Sequence, residues 1–308
     1  MGVHEPTLVI AWNRPDHLAT LLERLREVKA SQLFVAIDGP RDGHPKDYAA
    51  VTKCRELVDA IDWPCSVHSL YHEANLGCGQ GVSAAITWFF SHVEQGIILE
   101  DDIIPDPSFF GFCSELLERY ADDDRVFAVS GCNFVPPSAQ SRPELPYRFS
   151  QVPHIWGWAT WRRSWARHDL DISNWRDRLP FRRLWRAAGG SIPGAVYWAS
   201  TFELLARQEV DTWDGQLVLA SMESGQLTAT SNTNLVQNIG FGPQATHTVE
   251  DFGDLPPVGS ISLPLLSGPV ELDSNADAWT RRNHFRATWR GMMEQAERFR
   301  KRRKRSAT

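Results

Sequence analysis

The sequence predicts an α/β protein with a mostly parallel, twisted sheet that is flanked by helices. Short apolar runs alternate with segments of helical periodicity over about the first 130 residues, a pattern typical of parallel sheets. Three of these runs end in polar or charged residues, at the strand ends where α/β proteins bind their ligands. The chain of 308 residues is long enough to bury such a core without disulfides or a structural metal.

Five apolar runs predict the strands of this sheet, and helical spacing predicts the segments between them. The strands are expected at residues 7–12, 33–37, 67–71, 97–99 and 126–130. The helices are expected from Pro15 to Val28 and over residues 46–61, 82–93 and 109–120. The glycine-rich segment LGCGQG before the third helix does not match the dinucleotide-binding pattern. It is interpreted as a tight turn that leads into this helix.

The second half of the chain is rich in aromatic residues, with eight of the 13 tryptophans between Trp156 and Trp213. Since no linker separates the halves, residues 1–275 are predicted to form one catalytic domain. Its nucleotide-binding half is placed at 1–135 and its acceptor-side half at 136–275.

Four tryptophans in this half allow two interpretations. Trp158, Trp161 and Trp165 are spaced three and four residues apart, as on one face of a helix, and this favours packing in the core. One ring, Trp156 or Trp158, is expected to line a site, because sugars stack their C–H faces on aromatic rings.

The charge is unevenly distributed along the chain. Residues 281–305 contain eleven Lys or Arg and two Glu, or +9, which leaves about −15 for the rest of a chain whose net charge is −6. An acidic body argues against nucleic acid as a partner. Residues 276–308 are predicted to form a basic, helical tail. It would pack against the acidic body or lie peripherally on an anionic membrane surface.

The cellular location is predicted to be cytoplasmic, with peripheral contact to the inner face of the membrane as an option. No apolar run approaches the ~18 residues that would indicate a membrane-spanning helix. The N-terminus lacks the basic and apolar segments of a secretory signal. Five cysteines without a CxxC pair favour a reducing compartment.

Three consecutive acids, Glu100, Asp101 and Asp102, directly follow the apolar run GIIL. Carboxylates at a strand end need a counter-charge, because burying a bare charge is costly. Hard oxygen ligands suit Mg²⁺ or Mn²⁺, so the motif predicts a divalent cation that in turn holds a diphosphate. A solvated acidic loop is the alternative interpretation, and the polar ends of the neighbouring strands favour the metal.

Several segments together resemble the GT-A nucleotide-sugar glycosyltransferases, particularly the branch of N-acetylglucosaminyltransferase I and its bacterial relatives. The segments are TLVIAWNRPDHL at the first strand, FVAIDG at the second and IILEDDIIPDPSFF at the fourth. The segments WGWATWRRSW and VDTWDGQ match more loosely, and the similarity spans roughly residues 7 to 250. The resemblance implies a GT-A fold.

The resemblance also implies roles for the residues at the strand ends. Asp102 would contact the metal that bridges the donor diphosphate, Asp101 the ribose, and Glu100 the donor sugar or its surroundings. Asp38 would bind the nucleobase, with Arg14 near the base or the phosphates. An ordinary Asp-Gly turn is the alternative interpretation of Asp38, and a surface charge is that of Arg14.

An inverting transferase needs a carboxylate that takes the proton of the acceptor hydroxyl. The resemblance places this base in the segment VDTWDGQ, where Asp214 is the first candidate; Asp211 and Glu203 are the reserves. Asp is also common at helix starts, so a capping role is the alternative for Asp214. His247 is a candidate second ligand for the metal or diphosphate, although a lone His is more often structural.

The sequence therefore predicts a metal-dependent, inverting glycosyltransferase with Mn²⁺ or Mg²⁺ as cofactor. The donor would be a nucleotide diphosphate-sugar, preferably UDP-linked, and the acceptor a hydroxyl of a glycan or a related molecule. One alternative is a sugar nucleotidyltransferase, a class that normally has a Gly-rich basic loop where this chain has AWNRPDHL. The other is a non-catalytic glycan-binding protein, which would not need acids at the strand ends.

Overall fold

The computed structural model describes residues 3–240, 256–291 and 293. Eight strands form one sheet in the order β3-β2-β1-β4-β8-β6-β9-β7. These strands are β1 (Thr7–Ala11), β2 (Gln32–Ile37), β3 (Ser66–Tyr71), β4 (Gln95–Glu100), β6 (Val126–Ser130), β7 (Tyr147–Ser150), β8 (Trp158–Trp161) and β9 (Leu227–Ser231). Two short strands, β5 (Ile103–Pro105) and β10 (Val236–Asn238), pair antiparallel with each other.

Ten helices surround these strands within the described part of the chain. They are α1 (Pro15–Glu27), α2 (Pro45–Asp59), α3 (Gly77–His92), α4 (Pro107–Arg119), α5 (Arg162–Trp165), α6 (Trp175–Arg178), α7 (Phe181–Ala187), α8 (Ile192–Ala206), α9 (Asp214–Ser224) and α10 (Ser274–Trp279). The predicted α/β class, a mostly parallel sheet flanked by helices, is confirmed.

Strands β1 to β4 form the parallel part of the sheet, as the alternation of strands and helices predicts. Val9 of β1 pairs with Val35 of β2 on one side and with Leu99 of β4 on the other. The apolar faces of α1, α2 and α4 pack on one side of the sheet, and α3 and α9 pack on the other. Both faces of β1, β2 and β4 are therefore covered, which explains their largely apolar sequences. The edge strand β3, with the sequence SVHSLY, is mostly exposed.

The prediction of one helical face for Trp158, Trp161 and Trp165 is wrong, although all three rings are buried as expected. Residues 158–161 form β8, which lies antiparallel between β4 and β6. A spacing of three residues places Trp158 and Trp161 on opposite faces of a strand, and both faces are covered here. Trp158 stacks on Trp213 at 5.8 Å between ring centroids on one side. On the other side, Trp161 donates a hydrogen bond to the carbonyl of Leu117.

The basic tail is described only in its first part. Helix α10 continues into a π-helical turn, Thr280–His284, and Phe285 then packs against Tyr197 and Trp198 of α8 at 5.6 and 5.1 Å between ring centroids. The start of the tail thus contacts the body through an apolar ring. Among the described residues, no helix is long and apolar enough to cross a membrane.

Candidate functional site

A pocket of about 440 Å³ opens at the carboxyl ends of β1, β2 and β4. The parallel arrangement brings these ends to one edge of the sheet, so the residues that follow each strand meet there. The predicted residues that line this pocket are Arg14, Asp38, Glu100, Asp101, Asp102, Trp156, Asp211 and Asp214. Residues from both predicted halves of the chain thus lie around one cavity.

The three acids after β4 meet the side chain of Arg14, which follows β1. Arg14 forms ion pairs with Asp101 and, at 2.8 Å, with Asp102. The side chain of Asp101 is 1% exposed and that of Asp102 is 15% exposed. Arg14 therefore supplies part of the counter-charge that the sequence assigned to a metal alone. The structure places its guanidinium on the acids.

Burial and mutual repulsion make this acid cluster electrostatically strained. Burial, with Asp102 and Asp101 close by, raises the pKa of Glu100 to about 8. Burial also raises the pKa of Asp101 to about 7, although Arg14 opposes the shift. One arginine stands against three carboxyl groups at this point, and a bound cation would lower the pKa of Glu100 and Asp101 and favour their charged forms.

The described side chains alone do not form a complete metal site. Within the described residues, no group of three or more His, Cys, Asp or Glu side chains is placed to hold a metal. The carboxylates of Asp102 and Glu100 are hard oxygen donors that face the pocket and suit Mg²⁺ or Mn²⁺. These residues fit a cation that takes its remaining ligands from a diphosphate and water. His247 lies outside the described residues.

Asp38 lies at the end of β2 and organises the turn that precedes α3. Its Oδ1 accepts hydrogen bonds from the backbone of Gly39 at 2.9 Å and of Leu76 at 3.0 Å. Its Oδ2 accepts from the side chain of Asn75 at 2.8 Å. Asp38 and Asn75 thus form a polar wall at the β2 end of the pocket.

Trp12 and Arg41 form a second part of this wall that the sequence analysis did not identify. The Arg41 guanidinium lies 4.8 Å from the centroid of the Trp12 ring. The indole N–H of Trp12 donates to the carbonyl of Gly39 at 2.9 Å. The Nε–H of Arg41 donates to the carboxylate of Asp47 at 2.6 Å, and this contact holds Arg41 in place. Arg41, with Asn13, lowers the pKa of Asp47 to about 2. The sequence position of Trp12, directly after β1, was the feature that could have identified it as part of the pocket wall.

Asp211 binds the first turn of α3. Its two oxygens accept hydrogen bonds from the backbone N–H groups of Cys78 and Gly79, both at 2.9 Å. A Cβ at Gly79 would lie 2.8 Å from Asp211 Oδ1, so the glycine allows this approach. The carboxylate occupies the helix N-terminus, where an anion is favoured. This contact explains why α3 begins at Gly77, earlier than the predicted residue 82.

The two other candidate bases differ in position. Asp214 is the first residue of α9 and lines the pocket. Its Oδ1 accepts from Thr212 Oγ1 at 2.5 Å and from the backbone of Gly215 at 2.8 Å. Glu203 lies on α8, where it pairs with Arg176 and Arg207 at 2.6 Å and does not line the pocket.

No protein-family model matches the sequence. One similar solved structure is HddC from Yersinia pseudotuberculosis, with 10% identity, a TM-score of 0.32, and coverage of 52% of this chain and 77% of that one. Another is the inositol-1-phosphate CTP transferase from T. maritima, with 8% identity, a TM-score of 0.36, and coverage of 77% and 90%. A third is UDP-glucose pyrophosphorylase complexed with UDP-glucose, with 8% identity, a TM-score of 0.37, and coverage of 76% and 91%.

With TM-scores of 0.32 to 0.37, these three similarities assign neither a fold family nor an activity to this chain. The specific resemblance to the N-acetylglucosaminyltransferase I branch therefore stays a prediction.

Proposed function

We propose that this protein binds a nucleotide diphosphate-sugar, preferably UDP-linked, and transfers its sugar to a hydroxyl acceptor with the help of Mn²⁺ or Mg²⁺. The observation that carries the proposal is the meeting of Asp38, the Glu100–Asp102 acids and Asp214 around one pocket at the carboxyl ends of parallel strands. We take the GT-A resemblance of the sequence as the reason to favour glycosyl transfer.

The nucleobase is assigned to the end of the pocket near Asp38. The Trp12 ring gives this wall a flat aromatic surface, and Asp38 and Asn75 offer polar atoms at its side. A base stacks on an aromatic face, and its edge needs fixed hydrogen-bonding groups. Asp38 already accepts several hydrogen bonds, so its share in base recognition would require some of these to be exchanged or shared.

The diphosphate is assigned to the region of Asp102 and Arg14. A divalent cation here would neutralise the charge that develops on the departing diphosphate. Arg14 would remain close enough to share this role, because its guanidinium already lies between Asp101 and Asp102. The excess of carboxylates over arginine leaves room for a further positive charge.

Asp214 is the proposed base for the acceptor hydroxyl. Its Oδ1 is held by Thr212 and Gly215, while no hydrogen bond to its Oδ2 occurs among the described residues. In the proposed step, this oxygen takes the hydroxyl proton as the acceptor oxygen forms a bond to the anomeric carbon. The bond from that carbon to the diphosphate breaks, and the nucleoside diphosphate leaves with the electron pair.

Nucleotidyl transfer is the second candidate. Arg14 and Arg41 both line the pocket and could bind a triphosphate, and this is the observation that favours it. The two enzymes that are described as a CTP transferase and a pyrophosphorylase belong to this kind of chemistry, although their TM-scores of 0.36 and 0.37 carry no weight here. The absence of a Gly-rich basic loop after β1 argues against it.

One experiment separates the two reactions. The protein is incubated with UDP-sugars, a mixture of acceptors and Mn²⁺, and in parallel with UTP and sugar 1-phosphates. Glycosyl transfer releases UDP in the first mixture, whereas nucleotidyl transfer releases pyrophosphate in the second. Pyrophosphate without UDP would replace the first proposal by the second, and binding of neither nucleotide would contradict both.

A further inference from the structure

A second cavity of about 380 Å³ adjoins the nucleotide pocket. Strand β10 and the segments 132–134 and 256–258 contribute to its wall. Trp156 and Asn238 line both cavities and form their junction. Neither the sequence analysis nor the pocket described above assigns a role to this second space.

The two cavities differ sharply in charge. The described residues that line the second cavity are all neutral: Cys132, Asn133, Phe134, Trp156, Asn234, Val236, Gln237, Asn238, Pro256, Pro257 and Val258. The nucleotide pocket, in contrast, is lined by two arginines and six carboxylates. A charged ligand would lose hydration in the second cavity without gaining an opposite charge from these residues.

The lining offers the two kinds of contact that an uncharged sugar uses. The Trp156 ring gives the cavity an aromatic surface, and Phe134, which stacks on His284, supports it edge-on at 5.3 Å. Gln237 is exposed, and no hydrogen bond to its side chain occurs among the described residues. Its amide can both donate to and accept from hydroxyl groups.

The other amides of the lining are less available. The side-chain amides of Asn133 and Asn234 donate to backbone carbonyls, and the backbone N–H of Asn133 donates to Asn234 Oδ1. These hydrogen bonds hold the wall together. Asn238 accepts the backbone N–H of Gly240 at 2.7 Å through Oδ1, while no partner of its Nδ2 occurs among the described residues. Gln237 and the Nδ2 of Asn238 are therefore the groups left for a ligand.

The junction of the cavities lies beside the acid cluster. The backbone N–H of Ile239, next to Asn238, donates to the carbonyl of Asp102 at 2.8 Å. Strand β10 pairs with β5, which follows Asp102 along the chain. The second cavity thus opens toward the end of the nucleotide pocket where the sugar and diphosphate are proposed to lie.

From this placement and chemistry, we infer that the second cavity is a subsite for a neutral, hydroxyl-rich acceptor, an uncharged sugar. That this sugar is the acceptor rests on the proposed function. The binding of a neutral sugar at this site can nevertheless be tested without a donor. It predicts that a sugar with a carboxylate binds there more weakly than its uncharged counterpart.

The test is saturation-transfer NMR on the full chain with the methyl glycosides of glucose, galactose, mannose and N-acetylglucosamine. Methyl glucuronide serves as the charged counterpart of the glucoside. We expect at least one neutral glycoside to bind, to stay bound when UDP and Mn²⁺ are added, and to bind more tightly than the glucuronide. Gln237→Ala should weaken this binding about fivefold, roughly the value of one hydrogen bond.

Two further variants make the result specific. Val258→Trp adds bulk at a partly exposed position of the lining and should block the neutral glycoside. Gln32→Ala, at the start of β2 and so at the opposite edge of the sheet, should change nothing. UDP affinity, measured by calorimetry, should be the same in all three variants.

Three outcomes would overturn the inference. They are no binding of any neutral glycoside, displacement of the glycoside by UDP, and glycoside binding that is unchanged in both Gln237→Ala and Val258→Trp. Failure of UDP to bind would instead contradict the proposed function, and a neutral glycoside that still binds would leave the sugar site in place.

Discussion

Arg14 sets the charge balance of the candidate site. Its side chain forms ion pairs with both Asp101 and Asp102 and is only partly exposed. An unpaired buried carboxylate costs several kcal/mol, so the acids and the arginine depend on each other for stability. The same arrangement leaves an excess of acid for a cation.

The substitution Arg14→Gln should therefore destabilise the protein by about 2–4 kcal/mol, somewhat below the range for fully buried pairs because Arg14 is partly exposed. Urea unfolding of the variant measures this change. The double variant Arg14→Gln/Asp101→Asn should recover part of the loss, because it removes one of the carboxylates left without a partner. Equal stability of wild type and Arg14→Gln would contradict this account.

Asp102→Asn should abolish the effect of Mn²⁺ on UDP binding while leaving the fold intact. The substitution removes a negative oxygen that faces the pocket and keeps the shape of the side chain. Calorimetry of UDP binding with Mn²⁺ and with a chelator measures the effect, and circular dichroism checks the fold. A variant that keeps the full benefit of Mn²⁺ would remove Asp102 from the metal site.

Asp214→Asn should slow transfer by about 10²–10⁴-fold, the usual contribution of a positioned general base, and spare UDP affinity. The amide keeps an oxygen that can accept from Thr212 and Gly215, so α9 should still start at the same place. Turnover under saturating donor measures the change. Glu203→Gln is the matched control, because Glu203 lies outside the pocket, and it should retain activity.

At the scale of elements, Asp211 ties the loop before α9 to the start of α3. The contact joins residues that are 132 and 133 positions apart in the chain, so it is a long-range restraint on the pocket wall. It also explains two of the three glycines of LGCGQG, because side chains at Gly77 and Gly79 would collide with this carboxylate. The turn is thus shaped around an anion that the protein itself supplies.

Asp211→Ala should destabilise the protein by about 1.5–3 kcal/mol, since charged hydrogen bonds to the α3 N-terminus are lost. Thermal or urea unfolding measures the loss. Gly79→Ala is the complementary variant: it keeps the carboxylate but places a Cβ 2.8 Å from Asp211 Oδ1, so it should also destabilise. Stability unchanged in both variants would show that this restraint has no energetic weight.

At the scale of the whole molecule, the buried His154 and the partly buried His284 connect the tail to the sheet-based body. His284 of the π-helical turn stacks on Phe134 at 4.1 Å between ring centroids, and His154 meets His284 at 5.9 Å. Burial lowers the pKa of His284 to about 4, and burial, with His284 and Arg148 nearby, lowers that of His154 as well. Both rings are therefore neutral in the folded protein near pH 7.

Because the folded pKa of His284 is below its ordinary value of 6.5, its contribution to stability is present above pH 6.5 and is lost as the pH falls toward 4. The loss should reach about 3 kcal/mol. Glu100 acts in the opposite direction. Its pKa is raised to about 8, so protonation removes a buried charge and the fold gains stability as the pH falls from 8. The free energy of unfolding, measured for wild type and for His284→Phe across this pH range, isolates the contribution of His284. Parallel pH profiles would contradict the prediction.

The predicted boundary between a catalytic domain and a tail at residue 275 stays a prediction, as does the cytoplasmic location. The described part of the tail packs Phe285 on α8, which agrees with the packing alternative, and nothing supports contact with a membrane. One sheet contains strands from both predicted halves, because β8 lies between β4 and β6, and β9 and β7 continue the sheet beyond β6.

The parallel part of the fold and the acids of the site follow from the sequence alone. Local apolar runs and helical spacing are properties of neighbouring residues, so β1 to β4 and their helices could be predicted closely. The rule that ligands bind at the carboxyl ends of parallel strands then brought Asp38 and the Glu100–Asp102 acids together.

The partners of these residues, in contrast, follow only from the three-dimensional fold. The pairing of Arg14 with Asp101, the binding of Asp211 to α3 and the insertion of β8 between β4 and β6 all join segments that are far apart in the chain. The spacing of apolar residues indicates whether a segment is a helix or a strand, but it does not show which other elements pack beside that segment. For this reason Trp158 and Trp161 matched a helical pattern while they occupy a strand with both faces buried, and the neutral cavity beside the acids left no pattern in the sequence.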